Sequence, residues 1–389
     1  MRMLVSLLAM RPGRIGGTET YLRRLVAELP TAAGRDEVTL LITSDLRDDP
    51  IARQIRTAVV PCTSQRMLAW RGLDAAGWFR SGRIQRLIEQ QRPDVMLFPQ
   101  QSIFPHAVDV PCVLVLHDLY HLAMPQHLRI WQRQFRLRSY ARSLARAAQL
   151  IAISDQTRRD VIEAHGIDAV KITVVPHGVA SQGPRPSIDY ASRQYDAEPY
   201  LYYPAVTLPH KDHETLLATL GELRRQGRLR HRLLLSGERT RHWRSLRRRI
   251  EAQNLADVVS HQGYVSYDRV AELYRGADYV VFPSRHEGFG LPVLEAAGFA
   301  RRLITSRLEV FREIGVPERC RIDFGDPEQL AAALADRRPT TLERTPISWQ
   351  ACAQATVAVL RRAAGRTPSP HHLPAFDAAA GLTHLYVAR

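Results

Sequence analysis

The chain has 389 residues, of which 45% are hydrophobic, and a formal net charge of +15 at pH 7. That length is enough for two or three ordinary domains, and no apolar run is long enough to predict a transmembrane helix. The four cysteines are far apart, which argues against a disulfide framework or a metal site and fits a reducing cytoplasm. The charge favours anionic partners, namely phosphates, acidic lipids or nucleic acid, without selecting one of them.

The N-terminal residues predict a strand, a glycine loop and a helix. Residues 2–10 are expected to form a strand rather than a signal peptide, because their apolar core is short and no small-residue cleavage site follows. Gly16 and Gly17 allow a backbone to approach a ligand closely. The helix should run from 21 to 29 and stop at Pro30, whose ring disfavours a helix interior.

Apolar runs that alternate with helical patterns predict a parallel α/β sheet in the first half of the chain. The run at 113–116 ends in His117 and Asp118. Parallel sheets bind ligands at the carboxyl ends of their strands, so these two side chains are candidates for ligand contact. A lone histidine at such a position is, by itself, more often structural.

Residues 128–150 are predicted to form a long helix, and no acid occurs from 119 to 154. The segment Arg129–Arg146 of this helix is strongly basic. The pattern favours a solvated basic face, with Trp131 and Phe135 in a stripe that faces the core. The alternative is an interfacial surface for an anionic membrane or a lipid-pyrophosphate acceptor.

The second half repeats the alternation of strands and helices. Residues 181–197 are rich in serine, proline, glycine and charge, and are predicted to be a linker. A strand at 199–204 precedes a loop that contains His210 and Lys211, and the next strand ends at Gly237. Each of these strand-to-helix turns is suited to the approach of a phosphate or nucleotide.

The most informative stretch runs from 277 to 295. A buried strand at 279–282 is followed by a polar segment, the turn 288–290 and a proline in what should be the first turn of a helix. The strand, the glycine turn and the helix N-terminus together predict an anion site, because free N–H groups and the helix dipole point at whatever lies there. Glu287 and Glu295 bracket this turn.

The string HEGFGLPVLEA at 286–296 resembles the signature of retaining glycosyltransferases of family 4, which have the GT-B fold. The resemblance covers about residues 1–364 and implies an α/β protein with two Rossmann-like domains that face each other across a cleft. The implied parts are an N-terminal acceptor domain at 1–180, the linker at 181–197, a nucleotide-sugar domain at 198–348, a helix at 349–365 that crosses back to the first domain, and a loose tail at 366–389.

The same resemblance implies a role for each motif residue. Lys211 would neutralise the donor diphosphate, Glu287 would bond to sugar hydroxyls, Glu295 would accept from the ribose hydroxyls, and His117 would touch the donor sugar or the acceptor. The implied catalytic residues are His117, Lys211 and Glu287. The implied donor-binding residues are Gly17, His210, Lys211, Gly237, Gly288, Phe289, Gly290, Leu291 and Glu295. The implied acceptor-side residues are Gly16 and Asp118.

No cofactor and no metal are expected, since the sequence lacks a D-x-D motif. The motifs look most like those of bacterial O-antigen and exopolysaccharide mannosyltransferases, which implies GDP-mannose as donor and a glycan or lipid-linked acceptor. A cytoplasmic protein is expected, and the alternative interpretation of Arg129–Arg146 adds peripheral contact at the inner face of the plasma membrane. A UDP-sugar stays open as donor. Ala300 and Arg302 replace the usual Gly and Pro, which leaves the donor's sugar unresolved. The rival classes are a sugar-phosphate synthase, an epimerase and a nucleic-acid-binding protein, and the last of these lacks its motifs.

Overall fold

The computed structural model describes residues 1–12, 17–75, 81–179, 198–299 and 301–366, together with the backbone of 387–388. The chain divides into two compact units. The first comprises Met1–Ala180 and Ile347–Tyr386, and the second comprises Ser181–Pro346 and Val387–Arg389. The linker predicted at 181–197 and nearly all of the tail predicted at 366–389 lie outside the described residues.

The first unit contains a parallel sheet of seven strands in the order β3-β2-β1-β4-β5-β6-β7. Every residue of β4 and β5 is buried, which explains why both strands read as uninterrupted apolar runs. The register places Val5 of β1 opposite Leu40 of β2. The strands are β1 (Arg2–Ser6), β2 (Glu37–Thr43), β3 (Arg56–Val60), β4 (Val95–Phe98), β5 (Cys112–Leu116), β6 (Gln149–Ala152) and β7 (Ile172–Val174).

Helices cover this sheet, and the first of them differs from the prediction. It continues through Pro30 to Ala33, because the buried Leu29 and Ala33 hold the last turn against the core despite the N–H that Pro30 lacks. The helices of this part of the chain are α1 (Gly17–Ala33), α2 (Ser64–Ala75), α3 (Gly82–Gln91), α4 (Tyr120–Ala123), α5 (Ile130–Arg146) and α6 (Asp155–His165).

α5 is shorter than the predicted helix at 128–150, and the prediction for one of its aromatic residues is wrong. Trp131 is 64% exposed rather than part of a core stripe. The reason is that the buried residues of α5, Ser143 and Leu144, lie near its C-terminal end. The last turns anchor the helix, and the first turn is left in solvent.

The second unit contains a parallel sheet of five strands in the order β10-β9-β8-β11-β12. Its strands are β8 (Tyr200–Pro204), β9 (Arg232–Ser236), β10 (Val259–His261), β11 (Tyr279–Phe282) and β12 (Arg302–Thr305). Its helices are α7 (His213–Arg225), α8 (Trp243–Ala252), α9 (Tyr267–Gly276), α10 (Leu291–Gly298), α11 (Glu309–Glu313) and α12 (Pro327–Ala335). A short strand β13 (Arg344–Thr345) pairs antiparallel with β14 (Val387–Ala388).

The last helix, α13 (Trp349–Ala363), packs along α1 in the first unit. Just before it, the Val179 N–H donates to the Ile347 carbonyl at 2.9 Å, so the chain enters α13 beside the end of the first segment. A Cβ atom on Gly178 would lie 2.4 Å from the Cα of Trp349. Position 178 therefore requires glycine for this close backbone approach. In the part of the chain that the structure describes, no helix is both long and apolar enough to cross a membrane.

The two sheets share one topological feature that positions ligands. In each sheet, the strand order reverses between the first and the fourth strand of the unit. These strands are β1 and β4 in the first unit and β8 and β11 in the second. Loops at the carboxyl ends of two such neighbouring strands leave in opposite directions and open a crevice where ligands bind. Most of the predicted donor-binding residues follow β8 and β11, in the loops or at the start of α10, whereas Gly237 follows β9 and Gly17 begins α1 of the first unit.

Candidate functional site

The loops that follow β8 and β11 meet through an ion pair. The Nζ atom of Lys211 donates to Oε1 of Glu287 at 2.6 Å. Side-chain exposure is 19% for the lysine and 14% for the glutamate, so both charges are largely shielded from water. A pair held in this way is more strongly coupled than an ion pair on an open surface.

Opposing effects act on the carboxyl group of Glu287. Burial raises its pKa, whereas the charge and hydrogen bond of Lys211, the hydroxyl of Ser284 and the nearby His210 lower it. The net effect is a pKa below its ordinary value. Glu287 is therefore ionised at neutral pH, and the two loops are held together by full opposite charges.

Two hydroxyl groups position the members of this pair. The hydroxyl of Tyr203 donates to the main-chain oxygen of Lys211 at 2.7 Å. The Oγ atom of Ser284 donates to Oε1 of Glu287 at 2.7 Å. Because Tyr203 is fully buried in β8, it ties the lysine loop to the sheet.

A second ion pair joins the same two loops beside the first. The Nε atom of Arg285 donates to Oδ2 of Asp212 at 2.7 Å, and the Arg285 N–H donates to the carbonyl of His210 at 2.8 Å. Asp212 has a φ of +49°, a left-handed conformation that aspartate adopts more readily than most residues. Its side chain accepts from the N–H of Thr215 and so caps α7. The turn that displays Lys211 is fixed by these contacts.

The glycine turn presents the start of α10. Gly290 is the N-cap residue with a φ of +98°, and a Cβ atom there would lie 3.0 Å from the ring of Phe311. Among the residues that the structure describes, no side chain caps the N-terminus of α10. Pro292 occupies the first turn of this helix, as predicted. Backbone N–H groups and the helix dipole therefore make this end suited to an anion. Phe289 and Leu291 are buried on either side of Gly290, and Gly288 is half-buried.

A buried histidine lies at this edge of the sheet. His213 is fully buried at the start of α7, and its ring lies 4.6 Å from the ring of Tyr203. Burial lowers the pKa of His213 to about 3, with further lowering from His261, Lys211, His242 and His210 in that order. The ring of His213 is therefore neutral at pH 7.

Glu295, the second acid of the motif, is half-buried on α10. Burial raises the pKa of Tyr274 well above its ordinary value, and the charge of Glu295 adds to the rise. Burial likewise raises the pKa of Tyr202 to about 12, with a smaller contribution from Glu295. The carboxylate therefore lies close to two phenol groups of the same unit.

Gly237 directly follows β9, one residue beyond the strand end that the structure shows, and its conformation has a packing explanation. Its φ is +128°, and a Cβ atom would lie 2.7 Å from the main-chain carbon of Ala205. The residue allows the loop after β9 to pack against the loop after β8, which contains His210 and Lys211. Only glycine fits this contact.

The predicted residues of the first unit lie after β5 and at the start of α1. His117 is buried, its Nε2 atom lies 2.8 Å from the carbonyl of Pro99, and its ring packs edge-on against Tyr21. Because a carbonyl only accepts, Nε2 bears the proton, and Nδ1 is left as an acceptor. Burial lowers the pKa of His117, so its ring is neutral at pH 7.

Asp118 is half-buried, and its carboxylate accepts from the N–H of Tyr120 at 3.0 Å, so it caps the turn after β5. Gly17 is the exposed first residue of α1. Gly16, the other acceptor-side residue, lies outside the described residues.

The structure thus brings together the donor-side residues of the second unit, and it adds partners that the sequence pattern does not reveal. These are Tyr203, Asp212, Ser284 and Arg285. An Asx-type cap at Asp212 could have been read from the residues before α7, whereas nothing in the sequence marks the other three. Among the described residues, no group of three or more His, Cys, Asp or Glu side chains is placed to hold a metal ion.

Comparison with known proteins identifies the family. A family model described as Glycosyltransferase Family 4 matches residues 15–182, and one described as Glycosyl transferases group 1 matches residues 185–337. The two matches adjoin and together cover most of both units. The chain belongs to the family 4 glycosyltransferases, as the sequence motif predicted.

Curated relatives match over about half of their own length. D-inositol 3-phosphate glycosyltransferase of Kineococcus radiotolerans is 31% identical over 252 residues, which are 56% of this chain and 58% of that protein. O-antigen chain mannosyltransferase B of Escherichia coli is 26% identical over 215 residues, which are 54% of this chain and 56% of that protein.

Solved structures match over nearly the whole chain. Sucrose-phosphate synthase from Thermosynechococcus elongatus is 20% identical with a TM-score of 0.66 and 94% coverage of both chains. Anabaena HepE, solved in complex with UDP and glucose, is 17% identical with a TM-score of 0.59 and covers 94% of this chain and 98% of its own. At these identities the likeness shows the fold, and the predicted α/β GT-B class is confirmed.

Proposed function

We propose that this protein transfers a hexose from a nucleotide sugar to a glycan or lipid-linked acceptor, with retention of the anomeric configuration, in the synthesis of a cell-surface polysaccharide. The observation that carries the proposal is the buried ion pair between Lys211 and Glu287, at the switch point of the second sheet and beside the start of α10. The family to which the chain belongs supports a transferase.

The donor side of the proposal rests on charge. Breaking a sugar–phosphate bond builds negative charge on the leaving diphosphate and positive charge on the anomeric carbon. Lys211, with His210 beside it, neutralises the diphosphate, and the N-terminus of α10 adds N–H donors. Glu287 then serves two groups, since its carboxylate holds Lys211 in place and accepts from sugar hydroxyls. Glu295 accepts from the ribose hydroxyls.

The acceptor side of the proposal rests on the first unit. Asp118 faces the acceptor, and His117 contributes a neutral imidazole. The Nε2–H of His117 is engaged by Pro99, which leaves Nδ1 to accept a hydrogen bond from a sugar hydroxyl. A neutral ring does not oppose the positive charge that develops on the sugar as strongly as an imidazolium would.

GDP-mannose is the proposed donor. The support comes from relatives whose names state mannosyl transfer, among them the O-antigen chain mannosyltransferase B of Escherichia coli. The second candidate is a UDP-sugar enzyme, such as a sugar-phosphate synthase or an epimerase. It is favoured by the likeness to sucrose-phosphate synthase and to HepE with UDP and glucose.

We further propose that transfer needs no metal or other cofactor, because Lys211 and the N-terminus of α10 supply the positive charge that a divalent ion provides elsewhere. The proposed compartment is the cytoplasm. Sugar transfer should keep its rate when EDTA is added, and recovery of lost activity specifically by Mg²⁺ or Mn²⁺ would overturn the metal-free proposal.

The donor site can be tested by chemical labelling of lysine. Lys171 and Lys211 are its only lysines, so a lysine-selective acylating reagent reports on Lys211 with Lys171 as an internal control. GDP, UDP and ADP are each added, and labelling is followed by mass spectrometry of the two peptides. The preferred diphosphate should slow labelling of Lys211 and leave Lys171 unchanged. It should also raise the melting temperature through mass action. Equal labelling of Lys211 with and without every nucleotide would overturn the donor site.

A further inference from the structure

The start of α5 presents two large apolar side chains to solvent. Ile130 is 81% exposed and Trp131 is 64% exposed. Single exposed apolar residues are ordinary, as at Val170 in the same unit, but two adjacent ones at a helix tip form a compact hydrophobic projection. We call Arg129, Ile130, Trp131 and Arg133 the α5 tip.

The α5 tip is surrounded by positive charge without compensation from its own helix. Arg129, Arg133 and Arg138 are exposed, and no acid occurs from 119 to 154. Among the described residues, no salt bridge involves any of these three arginines. The basic side chains near this tip are therefore available to an anionic partner.

In the C-terminal half of α5, two arginines bond to the main chain of their own unit. They are therefore not part of the basic surface predicted at Arg129–Arg146. Arg142 donates to the main-chain oxygens of Asp74 and Ala75 at the end of α2. Arg146 donates to the carbonyls of Val108 and Val110. These two guanidinium groups fasten the helix to its unit, so the surface charge that remains for a partner lies at the tip.

The helix that α5 is fastened to also exposes apolar side chains. On α2, Leu68 and Leu73 are both more than two-fifths exposed. Arg66 on the same helix is exposed as well. Exposed apolar and basic residues thus occur together on α2 as well as at the start of α5.

We propose that the α5 tip docks on an anionic lipid surface. Ile130 and Trp131 enter the boundary between headgroups and acyl chains, where the indole of tryptophan is especially favourable, and Arg129, Arg133 and Arg138 contact lipid phosphates. Apolar burial and charge attraction are two separate signals, and reversible peripheral binding requires both to be effective. A second copy of the chain is a poorer occupant, because self-pairing would bring these like charges together.

The experiment measures co-sedimentation of the full chain with vesicles of phosphatidylcholine alone and with vesicles in which about a third of the lipid is phosphatidylglycerol. The wild type should bind only the anionic vesicles, and added salt should weaken the binding. Arg129→Gln/Arg133→Gln should weaken partition about 30-fold, since each basic residue near such a surface contributes about fivefold. Ile130→Ser/Trp131→Ser should weaken it about tenfold or more.

Matched control variants distinguish binding through the α5 tip from effects of the total charge or of any exposed apolar residue. Arg244→Gln/Arg248→Gln removes two exposed arginines with the same spacing from α8, and Val170→Ser removes an exposed apolar residue elsewhere in the first unit. Both should bind vesicles as the wild type does. Equal binding of the wild type to both kinds of vesicle, or equal losses in the control and tip variants, would overturn the proposal. So would a dimer in light scattering that the tip variants dissociate.

Discussion

The Nζ atom of Lys211 lies 2.6 Å from Oε1 of Glu287, although 76 residues separate them in the chain. The lysine comes from the loop after β8 and the glutamate from the loop after β11, and β8 and β11 are neighbours in the sheet. The topology therefore creates the pair. Because both groups are mostly shielded from water, removing one of them leaves the other with an uncompensated charge.

The first prediction concerns the stability of this pair. Glu287→Gln keeps a hydrogen-bonding group but removes the charge, so the free energy of unfolding should fall by about 1–3 kcal/mol. Urea denaturation of the variant measures the change. In Lys211→Met/Glu287→Gln the loss should be smaller than the sum of the two single losses, because the partner charge is also gone. Strictly additive losses would show that the two side chains do not interact.

The second prediction concerns the nucleotide. Glu295→Ala should weaken binding of the preferred diphosphate by about 10-fold to 100-fold, since hydrogen bonds to a charged group contribute about 1.5–3 kcal/mol. Isothermal calorimetry measures the affinity. Glu272→Ala is the control, because Glu272 pairs with Arg269 on the surface of the same unit. An unchanged affinity in Glu295→Ala would refute the ribose assignment.

The third prediction concerns the arginine that braces the lysine turn. Arg285→Gln removes the ion pair with Asp212, so Lys211 should be less well positioned. We expect kcat to fall by about tenfold while the melting temperature changes little, since Arg285 itself is exposed. Arg285→Lys, which restores the charge, should recover part of the rate. A stability loss with an unchanged kcat would instead indicate a purely structural contact.

The fourth prediction concerns pH. Burial lowers the pKa of His213 to about 3, against an ordinary value of 6.5. Between these values the unfolded chain binds a proton that the folded chain does not, so the contribution is complete above pH 6.5 and is lost progressively as the pH falls. From pH 7 to pH 5 this single group should lower the free energy of unfolding by about 2 kcal/mol.

His213→Phe tests this prediction, because phenylalanine keeps a ring against Tyr203 and cannot titrate. Denaturation curves at pH 7 and pH 5 give the two unfolding free energies. The difference between them should be about 2 kcal/mol smaller in the variant than in the wild type. Above pH 7 the two proteins should show parallel stability. The same loss at pH 5 in both would mean that His213 becomes protonated without cost in the folded state.

Features encoded in short contiguous stretches could be predicted from the sequence. The strand at 279–282, the glycine turn and the first helical turn at Pro292 all depend on neighbours within a few residues, and all are found. Their local patterns and the family motif also indicated Lys211 and Glu287 as parts of one site. The alternation of strands and helices was sufficient to predict two parallel sheets.

Features that depend on distant neighbours could not be predicted. Tyr203 approaches Ser284 across 81 residues, and Arg285 reaches Asp212 across 73 residues, so no local pattern links them. Trp131 fits the helical period of a core stripe, but the period gives only a face and not what covers it. Pro30 stops a helix in isolation, whereas tertiary packing of α1 overrides that tendency here.

The measurement that tests the central claim most directly is the initial rate of sugar transfer by Lys211→Ala, with GDP-mannose and with a UDP-sugar as donors. Lys171→Ala is the matched control, since Lys171 is the other lysine of the chain and is exposed. Loss of Lys211 should reduce kcat with the preferred donor by about 100-fold to 1,000-fold, because the leaving diphosphate loses its cation. Turnover of Lys211→Ala close to that of Lys171→Ala would contradict the account.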